Sequence, residues 1–198
     1  MKLGILGGTF NPIHMGHLIL CEEAYHQFGL DKVIFIPSGY SYLKDQSEIL
    51  PAETRYKMVE KAIGGNSHLD ISDMDIVRSG PTHTIDTLNE LHEKYPDAEL
   101  YFIVGADTLL FMHKWVDSDR IFKSCVILAS VRGGDDREKI ESAADNLKRE
   151  YMADIRLIDG ARIDISSTSL RESFKEGTAN RYMLPEKVYN FIIENRLY

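Results

Sequence analysis

Between residues 7 and 17 the chain sets two adjacent glycines, Gly7 and Gly8, a hydroxyl on Thr9 and two imidazoles, His14 and His17, directly after the apolar residues Leu3, Ile5 and Leu6. The apolar run reads as a buried strand. Gly7 and Gly8 remove the Cβ atoms that would hold a phosphate away from the backbone, and Thr9 adds a donor beside them. His14 and His17 stand three apart, on one face of the first turn of a helix that continues through Leu18, Leu20 and Ala24. Both imidazoles are therefore expected to meet one ligand. Amides at a helix N-terminus favour phosphate, and histidine donors strengthen that preference as charge builds on a departing pyrophosphate. The chemistry expected of this block is nucleotidyl transfer. Two alternatives stand beside it: ordinary helix-start histidines, and a zinc site, for which His83, Asp107 and His113 offer no tight ligand spacing.

The elements that must position the block follow from periodicity. After the first strand, strands are expected at Val33 to Ile36, Leu100 to Val104, Val126 to Ala129 and Ile155 to Ile158. Helical spacing covers 15–28, 52–63, 84–95 and 137–150, with Pro51 before Ala52 as a favourable helix start. A pair of C-terminal helices is expected at about 167–176 and 186–195, separated by Gly177. This alternation predicts an α/β fold, a Rossmann-like, doubly wound and mostly parallel sheet with helices on both faces. In such sheets ligands bind beyond the carboxyl ends of the strands. Gly7-Gly8, Pro37-Ser38-Gly39 and Gly105-Ala106-Asp107 each follow a strand, so three loops point at one cleft. Tyr40 to Leu50 lacks a period and reads as a mobile loop beside it, and Arg132 to Arg137 is similar.

Bulk properties limit the classes open to the chain. Its 198 residues, 43% of them hydrophobic and with a net charge of −8, fit one globular domain spanning 1–198. No apolar run approaches the roughly 20 residues that span a bilayer, and no basic leader precedes the first strand. A cytoplasmic location, away from the membrane, is expected. The acidic balance argues against nucleic acid as a partner. Cys21 and Cys125, in apolar contexts, read as reduced buried thiols.

Ser166-Ser167-Thr168-Ser169-Leu170-Arg171 places hydroxyls at a helix start and an arginine one turn in. It reads as a second anion-binding terminus, or as an ordinary N-cap with an exposed arginine.

These stretches resemble the HIGH-type nucleotidylyltransferases, in which a Gly-Gly-Thr-Phe turn precedes His-x-Gly-His. Within that superfamily the chain is similar to the bacterial nicotinate mononucleotide adenylyltransferases, with Ile36-Pro37-Ser38-Gly39, the block from Gly80 to Leu88, Gly105-Ala106-Asp107, Ile165 to Arg171 and the tail from Leu184 matching in order. The resemblance implies transfer of AMP from ATP to nicotinate mononucleotide, giving nicotinate adenine dinucleotide and pyrophosphate, with Mg2+ accompanying ATP. These two small molecules are the implied partners; self-association is left open.

The resemblance also implies site roles. His14 and His17 hold the triphosphate and stabilise the transition state, while Gly7, Gly8, Thr9 and Phe10 form the turn and Gly16 allows close approach. Ser167, Thr168 and Arg171 meet the β- and γ-phosphates, with Arg132 beside them. Gly105 and Asp107 line the adenosine side, and Asp107 can equally cap the helix that follows it. Lys44 supplies a cation where the substrates meet; a lone loop lysine is otherwise simply solvated. Trp115 stacks on the pyridine ring, the alternative being a core tryptophan. Thr84 meets the pyridine carboxylate, helped by the amides of Trp115 and Val116.

Four departures fall on the acceptor side. Ser41-Tyr42-Leu43-Lys44 keeps the family's lysine without its histidine, His83 replaces a common tyrosine, Val116 an aromatic residue, and Arg132-Gly133-Gly134 stands for Arg-Pro-Gly. Two further readings stay open: an enzyme using nicotinamide mononucleotide or phosphopantetheine as acceptor, and a non-catalytic nucleotide sensor. A dehydrogenase would need Gly-x-Gly-x-x-Gly after the first strand.

Overall fold

The computed structural model describes residues 1–40, 46–131, 137–160 and 163–198. Six strands, β1 (Lys2–Gly8), β2 (Lys32–Pro37), β3 (Leu69–Ile71), β4 (Glu99–Val104), β5 (Val126–Ser130) and β6 (Ile155–Ile158), form one sheet in the order β3-β2-β1-β4-β5-β6. Every neighbouring pair is parallel. The direction of strand addition reverses between β1 and β4, which opens a crevice beyond their carboxyl ends. The Rossmann-like α/β expectation holds.

Parallel strands need crossovers, and helices on both faces bury the central strands β1, β2, β4 and β5 over most of their length, which is why these read as continuous apolar runs rather than alternating ones. One face carries α4 (Thr84–Lys94), α5 (Ala106–Phe111), α6 (Ser118–Ser124) and α7 (Arg137–Tyr151), packed on Ile5, Ile36, Phe102 and Ile127. The other carries α1 (Met15–Phe28), α2 (Ala52–Ile63), α8 (Ser167–Lys175) and α9 (Glu186–Asn195), packed on Leu6, Phe35, Ile103 and Leu128. Gly4 is required where this second face is tightest, because a Cβ there would lie 2.8 Å from Leu30 Cδ1 and 2.9 Å from Val33 Cγ2. Gly29 closes α1 in the left-handed conformation, φ 59°, with the Leu30 amide donating to the Tyr25 carbonyl at 3.0 Å.

The expected strands and long helices are present, with ends within three residues of the pattern. Three short elements were not expected: β3, α3 (Met74–Val77) and α6. Each is too short for a period to register. Of the two segments read as loops, 41–45 and 132–136 lie outside the described residues, Gln46–Glu48 form a 3-10 turn, and Arg137 opens α7. No helix among the described residues is long and apolar enough to cross a membrane. Cys21 is buried, Cys125 is half-buried and both thiols are free. Burial raises the pKa of each, that of Cys125 to about 12.

Candidate active site

The crevice holds two cavities that meet over the turn after β1. The first, about 340 Å3, is bordered by Gly7, Gly8, Thr9 and His17 on one side and by Thr84, Gly105, Asp107, Trp115 and Val116 on the other. The second, about 420 Å3, is bordered by Gly8, Thr9, Phe10, His17, Ser167, Thr168 and Arg171. Gly8, Thr9 and His17 belong to both. A ligand in one cavity and a ligand in the other would therefore touch at these three residues.

His17 sits in the first turn of α1. The His14 amide donates to His17 Nδ1 at 3.3 Å, which leaves Nε2 to carry the proton of a neutral ring. The Phe10 ring meets this imidazole edge-on, with centroids 5.2 Å apart. Gly8 makes room for Phe10, since a Cβ there would come within 3.2 Å of its ring. Gly7 borders the first cavity, and a Cβ there would meet only Phe102, at an ordinary 3.7 Å.

His14 lies deeper than His17. It is the N-cap of α1, 2% exposed, and borders neither cavity. Its ring lies against that of His17 with centroids 3.8 Å apart. The physical reason is the extended backbone of a cap residue, φ −146° and ψ 172°, which folds the side chain back along the helix. Gly16 accommodates that fold, because a Cβ there would lie 3.1 Å from His14 Nδ1. Gly16 thus allows the close approach of a histidine, and it borders a small niche with Leu20, Ser130 and Ile163 rather than the two main cavities.

In the first cavity, α4 aims its N-terminus inward with Thr84 as its first residue, and an anion there gains from the helix dipole. Trp115 is half-buried, with its ring edge-on to Phe102 at 6.3 Å and another part of its surface bordering the cavity. It is both a core and a cavity residue. The Trp115 amide closes the 3-10 turn onto the Met112 carbonyl at 3.0 Å, so it already has an acceptor, unlike the expected carboxylate donor. Val116 is 46% exposed at the mouth. Gly105 is the N-cap of α5 and Asp107 stands in its first turn without a capping bond, facing the cavity.

In the second cavity Ser166 is the cap, its hydroxyl accepting from the Ser169 amide at 3.1 Å. That leaves the next residues to dock α8 onto the β1–α1 turn. Ser167 Oγ donates to the Pro12 carbonyl at 2.9 Å, and Arg171 Nη1 donates to the Asn11 carbonyl at 3.1 Å. Arg171 Nη2 also lies 3.6 Å from Glu48 Oε2. The N-cap is thus present, but its arginine is not exposed: the Arg171 side chain is 15% accessible, and it borders the second cavity with Ser167 and Thr168. Lys44 and Arg132 lie outside the described residues.

Sequence reasoning missed the polar framework beneath the site. Arg55, on α2, is 1% exposed and donates from Nη1 to Thr9 O at 2.7 Å, from Nη2 to Ser38 O at 2.7 Å and Gly39 O at 3.2 Å, and from Nε to Leu50 O at 2.9 Å. Asn11 Oδ1 accepts from the Tyr198 hydroxyl at 3.0 Å, while Nδ2 donates to Glu48 O at 2.9 Å. Asp75, on α3, accepts from Thr87 Oγ1 at 2.6 Å and from Arg78 Nη1 at 2.9 Å, and borders the first cavity. Burial raises the Asp75 pKa, against the pull of Thr87 and Arg78. A signal existed for Arg55: it shares a helical stripe with Met58, Val59 and Ile63, where an arginine is out of place.

Among the described residues, no group of three or more His, Cys, Asp or Glu side chains could hold a metal ion.

Comparison with known proteins matches residues 5–173 to the cytidylyltransferase-like family. A protein of Lachnoclostridium phytofermentans named "Probable nicotinate-nucleotide adenylyltransferase" is 43% identical over 197 residues, covering all of this chain and 98% of that one. A protein of the same name from Desulfitobacterium hafniense is 43% identical over 201 residues, covering all of this chain and 95% of that one. Among solved structures, Plasmodium falciparum nicotinic acid mononucleotide adenylyltransferase complexed with NaAD superposes with a TM-score of 0.80 at 19% identity, covering all of this chain and 97% of that one. That likeness is one of fold.

Proposed function

The chain belongs to the cytidylyltransferase-like family, among its nicotinate-nucleotide adenylyltransferases, and from that premise we propose how its site transfers AMP from ATP to nicotinate mononucleotide. The observation that carries the reading is the junction of the two cavities at Gly8, Thr9 and His17. Adenylyl transfer joins two anions: a phosphate oxygen of the acceptor bonds to the α-phosphorus of ATP while the bond to pyrophosphate breaks on the opposite side. No protein nucleophile is needed, so placement and charge stabilisation supply the catalysis. A site with two compartments and one shared edge suits that reaction.

The pyridine nucleotide takes the first cavity. Trp115 offers an electron-rich face to a pyridinium ring, and the N-terminus of α4 with Thr84 offers a carboxylate its preferred surroundings. A nicotinamide has no charge to gain there, which supports nicotinate as the acceptor. The triphosphate takes the second cavity against Ser167, Thr168 and Arg171. His17 Nε2–H then donates to phosphate oxygen at the junction, where negative charge grows as pyrophosphate departs. His14 acts through His17, by accepting its ring and tethering its Nδ1. Lys44 and Arg132 complete the phosphate contacts, and Asp107 with Gly105 lines the nucleoside side. Mg2+ accompanying ATP would neutralise phosphate charge; the described residues bring no cluster of side-chain ligands of their own to it.

One domain spanning 1–198 is part of the same reading, supported by α8 and α9 packing on the core face that holds α1 and α2. So is a cytoplasmic enzyme with two small-molecule substrates. The test is pyrophosphate release from MgATP with nicotinate mononucleotide, nicotinamide mononucleotide and phosphopantetheine side by side. Turnover fastest with nicotinate mononucleotide is expected; silence with all three, despite ATP binding, refutes this reading in favour of a nucleotide sensor or an enzyme with another acceptor.

A further inference from the structure

We propose that Arg55 is the positioning residue that holds the triphosphate side of this site in register with the acceptor side. The inference rests on the adenylyl-transfer reading above. All four acceptors of its guanidinium are backbone carbonyls, and they belong to three separate segments: Thr9 in the β1–α1 turn, Ser38 and Gly39 after β2, and Leu50 before α2. Thr9 borders both cavities, Ser38 borders the first, and Ile49, next to Leu50, borders the second. Ser38 Oγ is buried without a protein partner and belongs to the lining of the first cavity. One rigid fork therefore sets the spacing between the turn that carries the junction and the loop after β2 that borders the first cavity.

Simple packing does not call for an arginine here. Its neighbours on the stripe, Met58 and Val59, are fully buried, and a leucine or methionine at 55 would continue the core. Burial opposes the cation, lowering the Arg55 pKa to about 10 while the nearby Tyr198 works the other way. No carboxylate pairs with it among the described residues; carbonyl dipoles alone hold it. Such a group is costly to bury and is retained for geometry rather than for net stability. Planar, five-donor guanidinium can bridge three segments at fixed angles, whereas an ammonium on a flexible stem cannot.

The consequence separates binding from turnover. Each substrate contacts its own cavity, so loosening the relation between the cavities leaves each binding step nearly intact. The reacting atoms, in contrast, lose alignment, and a displacement of about 1 Å costs on the order of 100-fold in rate.

The experiment compares the full-length protein with Arg55→Lys and Arg55→Gln. Functional sites are counted by equilibrium ATP binding, Kd is measured separately for ATP and nicotinate mononucleotide, and kcat is expressed per binding site. Expected are Kd values within about threefold of wild type and kcat per site lower by about 100-fold. A folded variant with kcat per site within about threefold of wild type, or with its loss confined to Kd, overturns the proposal. An inactive wild type would instead overturn the adenylyl-transfer reading, so the two failures are distinguishable. Should neither variant fold, the wild type decides by nitrogen-15 NMR of its arginine side chains. Arg55 Nε–H and Nη–H2 protons that exchange slowly, with hindered Cζ–Nη rotation, support the clamp; free rotation refutes it.

Discussion

Replacing His17 by alanine removes two things at once, and the geometry allows them to be separated. The first is the Nε2–H donor at the cavity junction. One preorganised donor to a developing phosphate charge is worth about 10²–10³ in kcat, or ~3–4 kcal/mol. The second is the Nδ1 acceptor of the His14 amide, 3.3 Å away, whose loss costs about 1 kcal/mol as a helix-cap contact. For a chain of this length that lowers Tm by about 2–4 °C. His17→Asn places a carbonyl oxygen near the Nδ1 position but nothing at Nε2; His17→Gln reaches the Nε2 position with an amide N–H. The expected pattern is therefore crossed. His17→Ala loses about 10²–10³ in kcat with ATP Kd changed by less than about threefold. His17→Asn recovers Tm without the rate, and His17→Gln recovers part of the rate without Tm. Pyrophosphate-release kinetics, ATP titration and thermal melts read the three quantities. Rate recovered by asparagine, or kcat and ATP affinity falling together in the alanine variant, would refute the assignment of the donor to Nε2.

Trp115→Ala is expected to raise KM for nicotinate mononucleotide by about 5- to 30-fold, the worth of a desolvated cation–π contact, while leaving KM for ATP unchanged; an unchanged acceptor KM would confine Trp115 to its packing on Phe102. Gly39→Ala would place a Cβ 2.1 Å from the Asp75 carbonyl oxygen and 3.1 Å from its carbon, a backbone clash that no rotamer relieves. Overpacking of that kind costs about 1–3 kcal/mol, so Tm should fall by about 2 °C or more, and a Tm held within about 1 °C of wild type would contradict the close approach of these segments. Cys125, with its pKa raised by burial to about 12, carries a thiolate fraction of about 10⁻⁴ at pH 8. Iodoacetamide at that pH should leave both cysteines of the native protein unmodified and label both after unfolding, as mass spectrometry reads directly; prompt labelling of the native protein would show an exposed thiol.

What the sequence disclosed and what it hid divide along a physical line. Leu3, Ile5 and Leu6 announce a strand because two covered faces demand apolar residues at every position, and Gly29, Pro51 and Ser166 announce helix ends because caps have local causes. The place of His17 in the crevice was legible for the same reason: it depends on neighbours three residues away. Arg55 was not, because its meaning lies in carbonyls 5 to 46 residues distant, and carbonyls leave no mark in a sequence. For His14 the spacing showed a place on the face of His17, and the two rings do meet, with centroids 3.8 Å apart. Its depth, 2% exposed at the N-cap, was not legible, because helical projection says nothing of burial at a residue that is not yet helical.

The charge of the chain makes the composition of the site intelligible. A protein with a net charge of −8 repels the anionic substrates it must bring together, so attraction has to be local. On the function proposed above, backbone would supply much of it: the N-terminus of α1 at the junction, of α4 at the first cavity and of α8 at the second. These dipoles need no counter-ion. Arg171 shows the complementary arrangement. Its guanidinium already lies 3.6 Å from the exposed carboxylate of Glu48, on a segment that Asn11 ties to the same turn. On the function proposed above, a triphosphate would exchange one anion for another at Arg171 instead of desolvating a free cation, and Glu48, 66% exposed, would turn to solvent while Asn11 still holds its backbone. Such an arrangement would keep Arg171 oriented before the phosphate arrives, which is what preorganised charge requires.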